Sequence, residues 1–190
     1  MLLTWLAVAL CLLAAATDVR RHKVYNWTTY PGMLAALGLN AVGTLSGLVE
    51  QPEDPWTRAV GWIGLGPSLT GFLACGFIML VCFVFFRVGG GDVKLLAMLG
   101  AFLGLEQGIE TLLWTFVLGG AVGLCLLIWR VGLWTLLTRV GRHLLWTLRL
   151  ASLSKLTEDE RQQLQPPLFL APSALAALLI VRFSLLDVWP

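Results

Sequence analysis

Two carboxylates stand where carboxylates are costly. Asp18 closes a long apolar run and Asp92 opens another. Charged groups at membrane depth are rare and mark function or a paired partner. If the two aspartates meet in a partly desolvated site, they cannot easily both ionise, so one holds a proton while the other stays charged. One then takes a proton from water and the other donates one, which is the division of labour needed to hydrolyse a peptide bond without a covalent intermediate. Gly89, Gly90 and Gly91 directly precede Asp92, and Lys94 follows it. Residues lacking Cβ let another backbone approach closely and bend at no steric cost. Each feature alone has a plainer reading. Asp18 lies just before Arg20 and Arg21, which could pair it at an interface, and three glycines usually make a flexible turn. Their conjunction around one truncated apolar run is what points to chemistry.

The elements that must position these residues are membrane helices. Of 190 residues, 58% are hydrophobic and 13% charged, and mean hydropathy is +0.83. Soluble domains carry about a quarter charged residues, so this composition excludes an ordinary water-facing fold. The net charge of +2 says less than its distribution. Cys11, Cys75, Cys82 and Cys125 lie within apolar runs without a CxxC pair, and His22 and His143 lack companion ligands. The cysteines read as small packing residues, and no metal site is expected.

The pattern predicts an all-α integral membrane protein, a single polytopic domain over 1–190, with about six transmembrane helices. Helix one covers Met1 to Val19. It resembles a signal peptide, but the basic residues Arg20, Arg21 and Lys23 follow the run rather than precede it, as in a retained helix whose amino end is outside. Helix two is expected from about Thr29 to Val49, then an acidic, proline-broken loop at 50–55. An interfacial approach over 56–66, ended by Pro67, leads into helix three from about Ser68 to Phe86. Helix four, Val93 to Leu105, has 13 residues and spans only about 20 Å. It crosses only if the glycine segment dips below the surface, lining a wet cavity or buried in protein. Glu106 and Glu110 bracket an outside turn before helix five, about Leu112 to Trp129.

A cytoplasmic surface segment covers about 131–167. Within it, 133–153 reads as an amphipathic helix carrying Arg139, Arg142, His143 and Arg149, and Thr157 with Glu160 fits a capping box. Helix six covers about Leu168 to Leu186. The basic residues then fall on one side and the acidic loops on the other, placing Asp18 and Asp92 together at the cytoplasmic face of a plasma (inner) membrane.

Gly89-Gly90-Gly91-Asp92-Val93-Lys94-Leu95-Leu96 resembles the GxGD segment of the type IV prepilin and preflagellin peptidases. Asp18 followed by Arg20, Arg21, Val24 and Asn26 is similar to that family's first-aspartate segment, although Tyr25 stands where the family usually has proline. Phe169-Leu170-Ala171-Pro172 resembles the short proline motif that opens its last span. The resemblance implies a membrane-embedded aspartic endopeptidase with Asp18 and Asp92 as its catalytic pair. Gly89, Gly90 and Gly91 would admit an extended substrate, Lys94 would orient the site, and Asn26, Arg20, Arg21 and Lys23 would shape its entrance. Implied substrates are pilin-like precursors with a basic leader and an apolar helix, beside the lipid bilayer. Neither a cofactor nor nucleic acid is implied. Larger relatives carry a cysteine-bearing zinc segment and methylate the new amino terminus. Counted from the end of helix one, only the ten residues 19–28 precede helix two, so peptidase activity alone is expected.

Two other classes compete. A proton-coupled transporter subunit also uses intramembrane carboxylates, but near the midplane and with broken helices in corresponding halves. An inactive pilus-assembly factor would carry the same residues. The presenilin-like group shares GxGD but has tyrosine before its first aspartate, where this chain has Thr17.

Overall fold

The computed structural model describes residues 1–21, 25–50, 55–86, 88–131 and 170–183. These form seven α-helices: α1 (Leu2–Arg21), α2 (Asn26–Leu45), α3 (Pro55–Val60), α4 (Leu65–Phe86), α5 (Gly90–Leu103), α6 (Leu105–Val131) and α7 (Leu170–Arg182), with a short 3₁₀ turn at Leu48–Glu50. No strand occurs among the described residues. Among the described residues, three helices are long and apolar enough to cross a membrane: Leu2–Arg21, Leu65–Phe85 and Leu105–Trp129. The chain divides into two compact units, one of residues 1–118 with 169–190 and one of 119–168. Of the second, the described part is the end of α6.

α1 contains neither glycine nor proline and is mostly leucine and alanine, strong helix formers. Its buried residues are Leu3, Thr4, Ala7, Cys11, Ala14, Ala15 and Asp18, a stripe at three- and four-residue spacing. Asp18 therefore lies on the packing face of the helix. The other face is apolar yet exposed, at Leu2, Trp5, Leu12, Leu13 and Val19, as expected where the solvent is lipid. α4 repeats the pattern, burying Ser68, Gly71, Cys75 and Met79 and exposing Leu69, Leu73, Phe77 and Val84.

α5 differs. Every residue from Leu95 to Leu103 is buried, so it is the central helix, packed against α1, α2, α4 and α7. Its approach to α4 depends on missing side chains. A methyl on Gly71 would run into the carbonyl oxygen of Gly100, and a methyl on Gly100 into that of Gly71. Ser68 Oγ donates to the Ala101 carbonyl at 2.6 Å across the same seam.

The entry to α4 is capped from a distance. The Ile63 N–H donates to Asn40 Oδ1 at 3.0 Å and the Leu65 N–H to Thr44 Oγ1 at 2.8 Å. Two α2 side chains four residues apart thus serve N–H groups that have no partner within the starting helix.

Several boundaries differ from expectation. Pro67 does not interrupt an approach to helix three; it sits in the first turn of α4, where its missing N–H has no intrahelical partner to lose. Gly90 and Gly91 belong to α5, so the short helix is extended by helical glycines. Glu106 and Glu110 lie in the opening turns of α6, and the turn itself is Gly104, at φ 82°, a conformation suited to glycine. Acidic side chains are favourable at a helix amino end. α2 begins at Asn26 and ends at Leu45, a few residues earlier than predicted. The surface segment 131–167, its amphipathic helix and its capping box fall almost wholly outside the described residues.

Candidate active site

Asp18 sits on the inner stripe of α1, 8% exposed. Asp92 is in the first turn of α5 and half-buried. It precedes the apolar run of that helix and lies outside the three segments long enough to span a membrane. Burial pushes its carboxyl up to about 7, and the neighbouring charge of Asp18 adds to the rise. The helix dipole acts the other way, favouring a negative charge at the amino end by roughly 0.3–1 kcal/mol, less than one pH unit's worth. Desolvation with a second carboxylate nearby outweighs it. Two acids far apart in sequence thus come close enough for the charge of Asp18 to act on Asp92.

Gly89 caps α5 in extended conformation, φ −63° and ψ 134°. Its carbonyl accepts from the Asp92 N–H at 3.0 Å and the Val93 N–H at 3.3 Å. Its φ is open to any residue, so backbone freedom does not explain a glycine here. The site does: a Cβ on Gly89 would lie 2.8 Å from Asp92 Oδ2. At Gly90 a Cβ would meet only Phe83 Cε2 at 3.8 Å. Gly91 is half-buried in the same turn.

Lys94 reaches across to α2, donating to Asn26 Oδ1 at 2.8 Å with its ammonium 4.8 Å from the centre of the Tyr30 ring. Arg20 and Arg21 are exposed at the end of α1. Arg21 Nη1 donates to the Tyr25 hydroxyl at 2.9 Å and lies 5.9 Å from that ring's centre, so Arg21 engages Tyr25. Lys23 lies outside the described residues. Among the described residues, no group of three His, Cys, Asp or Glu side chains could hold a metal ion.

Asp18, Asp92, Gly89, Lys94 and Asn26 are therefore gathered where three helix ends meet: the last turn of α1 and the first turns of α2 and α5. Sequence reasoning missed Tyr30. Its signal was position alone, four residues after Asn26 and so on the same helix face. The arrangement offers a carboxyl pair able to carry one proton, with open backbone beside it. That suits general acid–base attack of water on a carbonyl.

No curated protein and no solved structure matches the chain. A family model described as the type IV leader peptidase family matches residues 5–124. That span is well over half the chain and includes both aspartates, the glycines, Asn26 and Lys94, so the chain belongs to the type IV leader peptidase family.

Proposed function

We propose that this protein is a membrane-embedded aspartic endopeptidase that removes the leader from pilin-like precursors, of type IV prepilin or preflagellin type, at the cytoplasmic membrane face. In this reading six helices cross the membrane with the amino end outside, Asp18 and Asp92 are the catalytic residues of a GxGD-type site, and the new amino terminus is not methylated. The observation that supports it most is the meeting of the last turn of α1 with the first turns of α2 and α5, which gathers Asp18, Asp92, Gly89, Asn26 and Lys94. Family membership favours a peptidase over a transporter subunit.

The ionised carboxylate takes a proton from a water molecule as its oxygen bonds to the scissile carbonyl carbon. The protonated carboxyl donates to the carbonyl oxygen. Collapse of the resulting gem-diol breaks the C–N bond, the amine leaves with a proton from the pair, and the leader departs as a carboxylate. Co-expression with pilin-like precursors from the same genome, followed by intact-mass and amino-terminal analysis, tests this. The expected product begins close to its apolar helix, without an added methyl group. Uncut precursor in every case would overturn the reading.

The proton count sets the pH dependence. With the Asp92 carboxyl at about 7, raising the pH through 7 removes the proton the pair needs, so cleavage should fall on the alkaline side. The same group affects stability. Native Asp92 holds its proton more tightly than the unfolded chain, whose carboxylate titrates near 3.9. Stability therefore declines as pH rises from about 4 to 7, and the penalty remains above that range. Asp92→Asn should leave the melting temperature unchanged near pH 4 and raise it at pH 8. An equal effect at both pH values would contradict the burial of this carboxyl.

Gly89→Ala separates folding from chemistry. The methyl meets the end of the Asp92 side chain rather than backbone, so the aspartate turns aside and the fold survives. Cleavage should drop at least about tenfold, since small misplacement of a catalytic group is costly, with melting little changed. Gly90→Ala should lose far less. Equal losses from the two would discount the contact between Gly89 and Asp92.

A further inference from the structure

We infer that Tyr30, with Asn26, is a positioning residue: together they grip Lys94 on the face of α2 and thereby hold the first turn of α5 so that Asp92 faces Asp18. The inference rests on the proposed catalytic pair. The amino end of α5 lacks a side-chain fastening of its own. Gly89 caps the helix without a side-chain hydrogen bond, and Gly90 and Gly91 follow, so none of these three residues offers a side chain to fasten the turn. The next residue is Asp92, whose neighbour across the gap is another carboxylate. Left to itself, that pairing drives α5 away from α1 whenever both acids are charged. Lys94 is the first long cationic side chain after them.

Residues two apart on a helix point roughly 200° from one another, so Lys94 and Asp92 address different neighbours. Asp92 couples to Asp18 on α1, while Lys94 binds Asn26 at 2.8 Å and stacks 4.8 Å from the Tyr30 ring centre on α2. Asn26 and Tyr30, four apart, present an acceptor and an aromatic face to one ammonium, and both kinds of contact suit a lysine. The grip also occupies the cation. An ammonium released from α2 would be free to swing toward the carboxyl pair, where a positive charge favours ionisation of both acids. Among the described residues, the other charged or titratable groups at these helix ends are Arg20 and Arg21 on α1, Tyr25 just before α2 and Cys82 on α4. Arg21 is itself engaged by Tyr25.

The test is a double-variant cycle on purified protein with a precursor it cleaves. Tyr30→Leu and Lys94→Met should each lower kcat by about 10- to 100-fold with KM within about threefold, because the substrate is still bound while the pair is misplaced. The two changes combined should cost no more than the worse one alone. Tyr30→Phe keeps the ring and Lys94→Arg keeps the cation, so each should retain most of the rate. In Tyr30→Leu, where the released ammonium is still present, the alkaline fall in rate should also move to lower pH, and in Lys94→Met, which has no ammonium to release, it should not; a loss of general stability would not separate the two. Wild-type kcat in both disruptive variants, or losses that multiply in the double variant, would overturn the inference. Lys94 is only half-buried, so Lys94→Met keeps the test open if Tyr30→Leu fails to fold. Asp18→Asn and Asp92→Asn measured alongside separate the two readings. If both cleave normally, the catalytic assignment fails; if both are inactive while Tyr30→Leu is fully active, the grip alone fails.

Discussion

Replacing either Asp18 or Asp92 with asparagine should reduce precursor cleavage by about a thousandfold or more, near the upper range for loss of a general acid or base. Asparagine nearly preserves shape and volume, so the inner stripe of α1 and the first turn of α5 should stay intact. What vanishes is the titrating proton. Asp18→Asn removes the neighbouring charge that helps raise the Asp92 carboxyl, and Asp92→Asn removes the group held at about 7. Neither aspartate can work as an acid–base unit alone, so the double variant should be no slower than either single one. Retained folding is checked by melting, where Asp92→Asn is expected to gain stability at pH 8. Substantial cleavage by either variant would remove the pair from the mechanism.

Asp18 and Asp92 stand out in the sequence because lipid makes charge conspicuous. Asp18 falls at a multiple of helical spacing from Leu3, Ala7, Cys11 and Ala14, and that stripe is the buried one. The charge pattern leads to the expectation that both aspartates lie at one membrane face; in the structure the last turn of α1 lies near the first turn of α5. Boundaries were less legible wherever glycine was involved. Gly90 and Gly91 have poor helix propensity, yet they are helical at the start of the most buried helix, where tertiary packing overrides intrinsic preference. Gly104 turns the chain in one residue, leaving Glu106 and Glu110 helical rather than in a loop. Contacts between distant segments gave no periodic signal at all. Nothing local in Asn40 and Thr44 indicates that they cap α4, and nothing in Tyr30 indicates a lysine on another helix.

The second large effect is structural. Gly71→Ala and Gly100→Ala should each destabilise the protein by about 3 kcal/mol, at the top of the usual range for overpacking. At Gly71 the added methyl meets the Gly100 carbonyl and the Gly104 carbonyl carbon, the latter at 2.6 Å; at Gly100 it meets the Gly71 carbonyl and, at 2.9 Å, the Cys75 side chain. Backbone atoms cannot rotate aside as a side-chain tip can, so α4 and α5 must separate. Ser68 would then lose its 2.6 Å bond to the Ala101 carbonyl. In a chain this size about 3 kcal/mol corresponds to roughly 10 °C in melting temperature. Gly38→Ala is the control: a Cβ there meets nothing within 4 Å, and replacing a mid-helix glycine favours the helix by about 0.5–1 kcal/mol. Melting in detergent distinguishes them. If Gly71→Ala melts with the wild type, the close approach of α4 to α5 is wrong, and with it the support for the turn that carries Asp92.

Direct titration of the carboxyl groups tests the central claim most closely, that Asp18 and Asp92 act as one proton-sharing unit. The chain has five aspartates, so selective ¹³C labelling of aspartate carboxyls, followed by NMR from pH 3 to 9 in nanodiscs, gives few signals to resolve. One signal, assigned to Asp92 by its loss in Asp92→Asn, should titrate near 7, and its midpoint should fall when Asp18 is replaced by asparagine. All five aspartates titrating near 4, or an Asp92 midpoint indifferent to Asp18, would contradict the account.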